Sequence, residues 1–500
     1  MGDVTPDSVE SGRSDILDET LSGKPKQPSE KADKYGTILI PEPSDTPQDP
    51  LNWSWSRKHV ILFVLSATAF LPDYGAASGA STQIPQAEYW HLSVDTVSHS
   101  LAAATMSLAA GGVIAAALST FFGRLPVLFW LMIISTGTAA WCAGATSYDS
   151  FKAARIVNGL FDAVALVSGL IYIQDMFFLH QHAQKINLWS SFFVLAPFLG
   201  PQLAAFMTAS VSWRWPFWVF TIIAGICLVA IVLFVDESFY DRRLPPEKQP
   251  PRKSRILRII GVEQWQTRQQ RSTFFEAIFL PFKAISKIPV LFCTLYYAIM
   301  FAWNVGINNT LSLFLSEKYN FGPTSIGYFY FTPMIAVLLG EGLGHWLHNY
   351  IADVYVRRHN GHFDPEARLF VLWLAIPCNV AGLILYGFTY QRNYHYMVAA
   401  LAWGLYIFAL MITTVGLNAY VLDSYPEGAG EVAAWLNVAR AIGGGVVTYF
   451  QVNWAQSSGA EVCYGVEAAI CFVSLLLFIL PLITHGKILR SWSGPIRTEG

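Results

Sequence analysis

Several ionisable and amide side chains fall inside otherwise apolar stretches of this chain, where a charge left without a partner costs several kcal/mol. Such residues must face a cavity or each other. Arg155, Asn158 and Asp162 are spaced at offsets of three and seven, which puts all three on one face of a helix. A guanidinium and a carboxylate sharing a wet inner face would let protonation of the acid shift a conformational balance; a structural ion pair is the plainer reading. Asp73, between Pro72 and Tyr74, is a second proton-carrier candidate, with a merely hydrated acid near the outer end of its span as the equal alternative. Trp303, Asn304, Asn308 and Asn309 combine an aromatic plate with stacked amides, a surface suited to a partly apolar organic ligand. Thr414 with Asn418, and Asn437 with Arg440, repeat the theme; interhelical hydrogen bonds are the competing role for each amide. Glu341 lies between Gly340 and Gly344, a spacing that marks helix contact. Glu341, His345 and His348 share a face, but two histidines at a helix end are more often structural, and no metal is expected.

The elements that must position these residues follow from solvent preference. Apolar residues make up 53% of the chain, charged residues 13%, and the mean hydropathy is +0.40, far from the composition of a water-soluble domain. Twelve stretches are long enough to cross a bilayer: 58–77, 97–121, 126–146, 152–175, 186–208, 213–235, 289–312, 324–347, 368–388, 395–421, 431–454 and 463–484. They are long apolar runs, not the short alternating segments of a barrel, so the expected fold is an all-α membrane protein with twelve transmembrane helices. Residues 1–57 read as a polar cytoplasmic tail with no signal-peptide core, 58–235 as a first six-helix bundle, 236–288 as a basic linker, 289–485 as a second bundle and 486–500 as a short tail. Within the linker, Thr273 to Ile288 is amphipathic and too short to span, so it should lie along the membrane face. With both termini inside, the Lys and Arg outside the spans fall in the cytoplasm except Lys152, Arg214, Lys318 and Arg392, as retention of basic loops requires. The six cysteines show no paired spacing and read as core filling. Gly443-Gly444-Gly445 lacks a phosphate-loop frame and is expected to allow bending.

Short blocks in both halves carry a resemblance. Asp49-Pro50-Leu51-Asn52-Trp53 before the first span, Gly123-Arg124-Leu125-Pro126 after the second, Asp236-Glu237-Ser238-Phe239-Tyr240-Asp241-Arg242 after the sixth, and Arg357-Arg358-His359-Asn360-Gly361 with Pro365-Glu366-Ala367-Arg368-Leu369 after the eighth resemble fungal drug:proton antiporter-1 transporters of the major facilitator type. That resemblance implies two pseudo-symmetric helix bundles with a substrate site between them near the midplane. Arg155-x-x-Asn158-Gly159 matches the family's RxxxG motif, which implies a place for Arg155 in proton coupling. Gly123 and Arg124 correspond to the gating loop. Where the family has Asp and Arg ahead of them, this chain has Thr120 and Phe121, so the charge relay is incomplete. Gly200-Pro201 is similar to the core of the antiporter motif in the fifth span, with Ala196, Ala204 and Ala205 replacing its flanking glycines.

The leading expectation is a secondary transporter, not an enzyme, that exports a drug or secondary metabolite in exchange for protons. It takes its energy from the proton gradient and needs no cofactor. Proton-coupled uptake of an organic cation or polyamine is the alternative, since Asp73, Asp162 and Glu341 would suit a cation; a nutrient sensor is disfavoured by the short tail after Ile483. Small-molecule substrate and lipid bilayer are the expected partners, with no nucleic acid. A monomer in the cell membrane, both termini cytoplasmic, is expected, with the vacuolar membrane as the alternative.

Overall fold

Hydrocarbon forces each crossing segment to satisfy its own backbone, and the described chain is helical from end to end of every long apolar run. The computed structural model describes residues 41–241, 249–250, 252–268, 273–358 and 364–496. The spans are α1 (Trp55–Trp90), α2 (Val94–Phe122), α3 (Arg124–Gly144), α4 (Tyr148–Met176), α5 (His182–Ser210), α6 (Trp215–Phe234), α7 (Ile288–Tyr319), α8 (Thr324–Arg358), α9 (Pro365–Gln391), α10 (Tyr396–Ser424), α11 (Ala429–Ser458) and α12 (Ala460–Ser493). Eleven of them are long and apolar enough to cross a membrane by composition alone. The remaining one, α11, is 30 residues long but carries Glu431, Asn437, Arg440, Gln451 and three consecutive glycines, nearly all buried. It tolerates that polarity because α2, α4 and α7 enclose it and shield it from lipid. The opposite case is α6, whose Trp218, Ile222, Ile226, Val229 and Leu233 are exposed at helical spacing and form a lipid-facing stripe.

Turn chemistry joins the spans. Ser93 and Ser147 cap α2 and α4 by accepting from Thr96 N and Ser150 N. Gly123, at φ +99°, makes the reversal between α2 and α3, and Glu237 accepts there from the backbone N–H groups of Arg124 (3.1 Å) and Leu125 (3.2 Å), an anion at a helix N-terminus. The first span departs from the expected 58–77. It begins at Trp55, breaks at Phe70 ahead of Pro72, and continues through Leu71–Ser78 and a 3₁₀ turn at Ala80–Thr82 into Gln83–Trp90.

The chain divides at Pro43. The described residues before that point carry no regular element, whereas Ser44 onward forms one unit, because α2, α4 and α5 pack directly on α11, α8 and α10 across the midline. The amphipathic linker segment forms a helix, Phe274–Ile285, capped by Thr273. It buries Ala277, Leu280, Pro281 and Ala284 against α2 and α11, leaves Phe275, Phe279 and Phe282 exposed, and receives a hydrogen bond at Pro281 O from the Trp435 indole (2.6 Å). Of the expected tails and linker, residues 1–40, 242–248, 251, 269–272 and 497–500 lie outside the described residues, as do His359, Asn360 and Gly361 of the loop block.

The three glycines of α11 are contact points and not a bend. A Cβ on Gly443 would sit 2.3 Å from the Ala298 carbonyl oxygen of α7, one on Gly444 would meet Val305, and one on Gly445 would meet Met106 of α2. The helix is continuous through them, so the expectation of flexibility is replaced by close approach to neighbours on two sides.

Candidate functional site

Between the halves lies a cavity of about 90 Å³, lined from α1, α2, α5, α7, α8 and α11. Its walls are mostly apolar, with Leu101, Pro197, Pro201, Val305 and Tyr330, and a few polar groups converge on it: Thr105, Asn308, Asn309, Asn437 and Thr448. Among the described lining residues the charged ones are Asp73 from α1 and Arg440 from α11. They form an ion pair, Arg440 Nη2 to Asp73 Oδ2, with side chains 6% and 12% exposed respectively. Asp73 follows Pro72 in the Leu71–Ser78 segment of α1. The Arg440 guanidinium lies between the rings of Phe193 (4.4 Å) and Phe301 (4.8 Å), while its Nε has no hydrogen-bond partner. Asn437 Nδ2 donates across the midline to Leu108 O at 3.0 Å. A second, smaller cavity on the other side of Arg440 contains Asn418, Trp189 and Tyr297.

Arg155 does something other than pair with Asp162. Its Nη1 and Nη2 donate to the carbonyls of Gly75 (2.5 Å) and Ala76 (2.9 Å), and Phe217 lies 5.5 Å from the guanidinium. Those carbonyls fall just before the 3₁₀ turn of α1, where the α-ladder ends and acceptors are left over. Arg155 therefore fixes the shape of the segment that carries Asp73. Asp162 is buried against α3, with Oδ1 accepting from Ser135 Oγ (2.9 Å), and Asn158 Nδ2 donates to Ser135 O (3.0 Å) and Thr138 Oγ1 (3.2 Å). Asn158 and Asp162 thus correct the expectation of a shared cavity face. Seven residues along a helix rise by about 10 Å, enough to carry Arg155 to α1 and Asp162 to α3.

The other expected residues divide in the same way. Asn308 and Asn437 line the cavity, as does Asn309. Trp303 and Asn304 are buried off it, Trp303 next to Cys471 of α12, because the cavity meets only one side of α7. Glu341 belongs to the contact between α5 and α8: its Oε2 accepts from Ser191 Oγ (2.5 Å) and its carbonyl from Asn187 (3.0 Å). His348 is buried near Arg368, and the side chain of His345 lies outside the described ones. Gly200 lets α5 approach α1, since a Cβ there would lie 2.9 Å from Tyr74 O, and the Pro201 carbonyl accepts from Ser81 (2.8 Å). Spacing alone could not reveal the aromatic pair around Arg440, because Phe193 and Phe301 come from different halves.

At the end of the bundle that holds the α2–α3 corner and the described linker segments, polar contacts join the halves. Thr120 Oγ1 donates to Glu431 Oε1 (3.1 Å), so the hydroxyl that replaces the family's acid still bridges α2 and α11. Asp423 of α10, fully buried, takes His182 Nδ1 of α5 at 3.0 Å and Arg368 Nε of α9 at 3.0 Å; His182 Nε2 lies 3.2 Å from Phe177 O. Arg124 pairs with Asp175 (3.5 Å), and Asp236 binds Arg57 (2.6 Å) and Arg258 (2.9 Å). Nearby, burial holds the Arg252 guanidinium below its ordinary pKa while Asp236 and Glu237 act in the opposite sense. The described parts of the blocks quoted from the sequence therefore converge on one end of the molecule, where they fasten helix ends to one another.

Comparison with known proteins fits this arrangement. Residues 62–448 match the family model described as Major Facilitator Superfamily. The chain is 26% identical to the MFS-type transporter hepF of Aspergillus oryzae over 86% of its length and 90% of the relative's. It is 26% identical to the efflux pump radE of Floropilus chiversii, covering 89% and 84% of the two chains, and 24% identical to the MFS transporter cpaT of Aspergillus oryzae, covering 93% and 94%. Among solved structures, the human organic anion transporter MFSD10 superposes with a TM-score of 0.62 at 17% identity, over 85% of this chain and all of that one. The proton:xylose symporter XylE gives 0.60 at 16% identity, over 87% and 96%.

Proposed function

Because the chain belongs to the Major Facilitator Superfamily, a family of membrane transporters and not of enzymes, we propose that it exports a small organic molecule in exchange for protons. The observation that carries this reading is the Asp73–Arg440 pair, which joins the two halves inside the cavity they share. While Asp73 is ionised, the pair holds α1 against α11. A proton on Asp73 removes that attraction in a low-dielectric site, and the halves are free to separate there. A cavity of about 90 Å³ is far below the several hundred Å³ of a typical small-molecule site, so loading a solute requires the same separation. Proton and solute thus act on one conformational equilibrium.

Export is preferred to uptake because a relative of similar length is named an efflux pump. Uptake of a cation loses its support: Asp162 and Glu341 are engaged away from the cavity, and Asp73 already faces a guanidinium. The proposal includes a monomer in the cell membrane with the basic end in the cytoplasm, powered by the proton gradient without a cofactor. The test is flux in proteoliposomes with an imposed pH gradient, screened over amphipathic metabolites, polyamines and drugs. The expected result is uphill solute movement opposite to the proton flow, present only while the gradient lasts. Movement in the same direction as protons, or indifferent to the gradient, overturns the reading.

A further inference from the structure

A second hollow is larger than the central cavity. A cleft of about 460 Å³, open to the outside, lies between the α2–α3 corner and the linker segments Arg255–Ile260 and Val262–Gln266. Its walls include Phe122, Pro126, Trp130, Leu131, Val262 and Trp265. They are held in place: Trp265 stacks on Phe122 at 5.7 Å with the rings 7° from parallel, and the Trp130 indole donates to Ile260 O at 3.2 Å. Gly261, at φ +98°, lets the linker turn rest on Pro126, where a Cβ would come within 3.0 Å.

Two observations identify what fits. First, the cleft continues into the lipid-facing side of α3, where Trp130 and Ile134 are 47% and 39% exposed, so the bilayer itself runs into it. Second, a cation stands beside it: Arg268 lies over the ring of the lining Trp265 at 4.3 Å and has no acidic partner among the described residues, and the same linker carries the exposed Arg255 and Lys253. An apolar slot on the lipid-facing side with a guanidinium beside its wall is complementary to an anionic amphiphile. We infer that this cleft holds the acyl chain of an anionic phospholipid from the adjacent leaflet, with Arg268 at the headgroup phosphate. The bound lipid would tie the linker to the α2–α3 corner, beside Gly123 and Arg124. This inference does not depend on the proposed substrate or direction of transport.

The test uses the full chain in nanodiscs of phosphatidylcholine doped with a phosphatidylglycerol that bears a diazirine on its acyl chain, followed by peptide mapping after photolysis. Labelling should concentrate in residues 118–131 and 256–266, well above the level on the lipid-facing stripe of α6. Val262→Trp, which fills the cleft from an exposed linker position, should bring it down to the α6 level with elution unchanged. Arg268→Gln should weaken the preference for phosphatidylglycerol over an equally labelled phosphatidylcholine by about fivefold, the worth of one basic residue at an anionic surface. Equal labelling of α6 and the cleft, or undiminished labelling in Val262→Trp, means annular lipid only and overturns the site. Equal labelling by the two lipids in the unmodified protein overturns the anionic assignment.

Discussion

Replacing Asp73 by Asn removes one member of a buried ion pair and leaves Arg440 charged between two aromatic rings, with its Nε already lacking a partner. Breaking a buried pair from one side costs about 3–5 kcal/mol. Both side chains border a cavity, so the lower end applies, about 3 kcal/mol or roughly a hundredfold in an equilibrium constant. Because the pair joins α1 to α11, that factor falls on the equilibrium between the closed form and forms in which the halves part at the cavity. With a cysteine at Thr448, on the cavity wall, the labelling rate by a membrane-impermeant maleimide should rise toward that factor in Asp73→Asn. Adding Arg440→Gln removes the second charge, and labelling should fall back toward the unmodified rate, since a pair deleted from both sides leaves no buried charge stranded. Proton coupling should be lost in both variants, as neither carries a titratable acid at the pair. Undiminished uphill flux in Asp73→Asn, or a double variant as perturbed as the single one, would refute the reasoning.

Three further outcomes follow from the packing. Asp162→Asn should keep gradient-driven flux, because its carboxylate faces Ser135 and not the cavity; Arg155→Ala should lower the thermal midpoint of the purified protein by stranding the Gly75 and Ala76 carbonyls, at about 1–3 kcal/mol for each orphaned acceptor. Removing His182 as Ala takes away an inter-half partner of Asp423 and should speed alkylation of a cysteine at Thr120 by about tenfold, the value of one hydrogen bond to a charged group. Gly443→Ala should cost about 1–3 kcal/mol by overpacking, seen as a lower thermal midpoint, since the atom it strikes is the backbone oxygen of Ala298, which cannot swing away.

How much of this was legible beforehand depended on whether lipid or neighbours set the rule. Bilayer thickness dictates the least length of a span, so every long apolar run appears as a helix, while α1, α7, α8 and α12 run on past their expected ends to Trp90, Tyr319, Arg358 and Ser493. The family blocks were legible as blocks, and their task is explicable only in three dimensions: Glu237 caps α3 and Asp236 gathers Arg57 and Arg258, though they are far apart in sequence. Arg440 and Asn437 were found because a cation and an amide in a span must have a reason. Their partners were not, because Asp73, Phe193 and Phe301 reach Arg440 from three other helices. Offsets give the angle between two side chains on one helix but not which neighbour lies opposite, which is why a cavity face is expected for Asn158, Asp162, Trp303 and Asn304 although the first two lie beside α3, Trp303 beside α12, and Asn304 is buried off the cavity.

The polarity of α11 has a consequence for how the protein is made. A segment with an arginine near its middle partitions poorly from the insertion machinery into lipid on its own, since that residue alone adds about 2.5–3.5 kcal/mol to the transfer. Its insertion leans on neighbours already made, α7 above all, and the ion pair that joins the finished halves can form only once the chain has been synthesised past Arg440. Mutations that weaken its escort, such as bulky replacements on the Ala298 side of α7, would then appear first as degraded newborn chains, before any defect in transport could be measured.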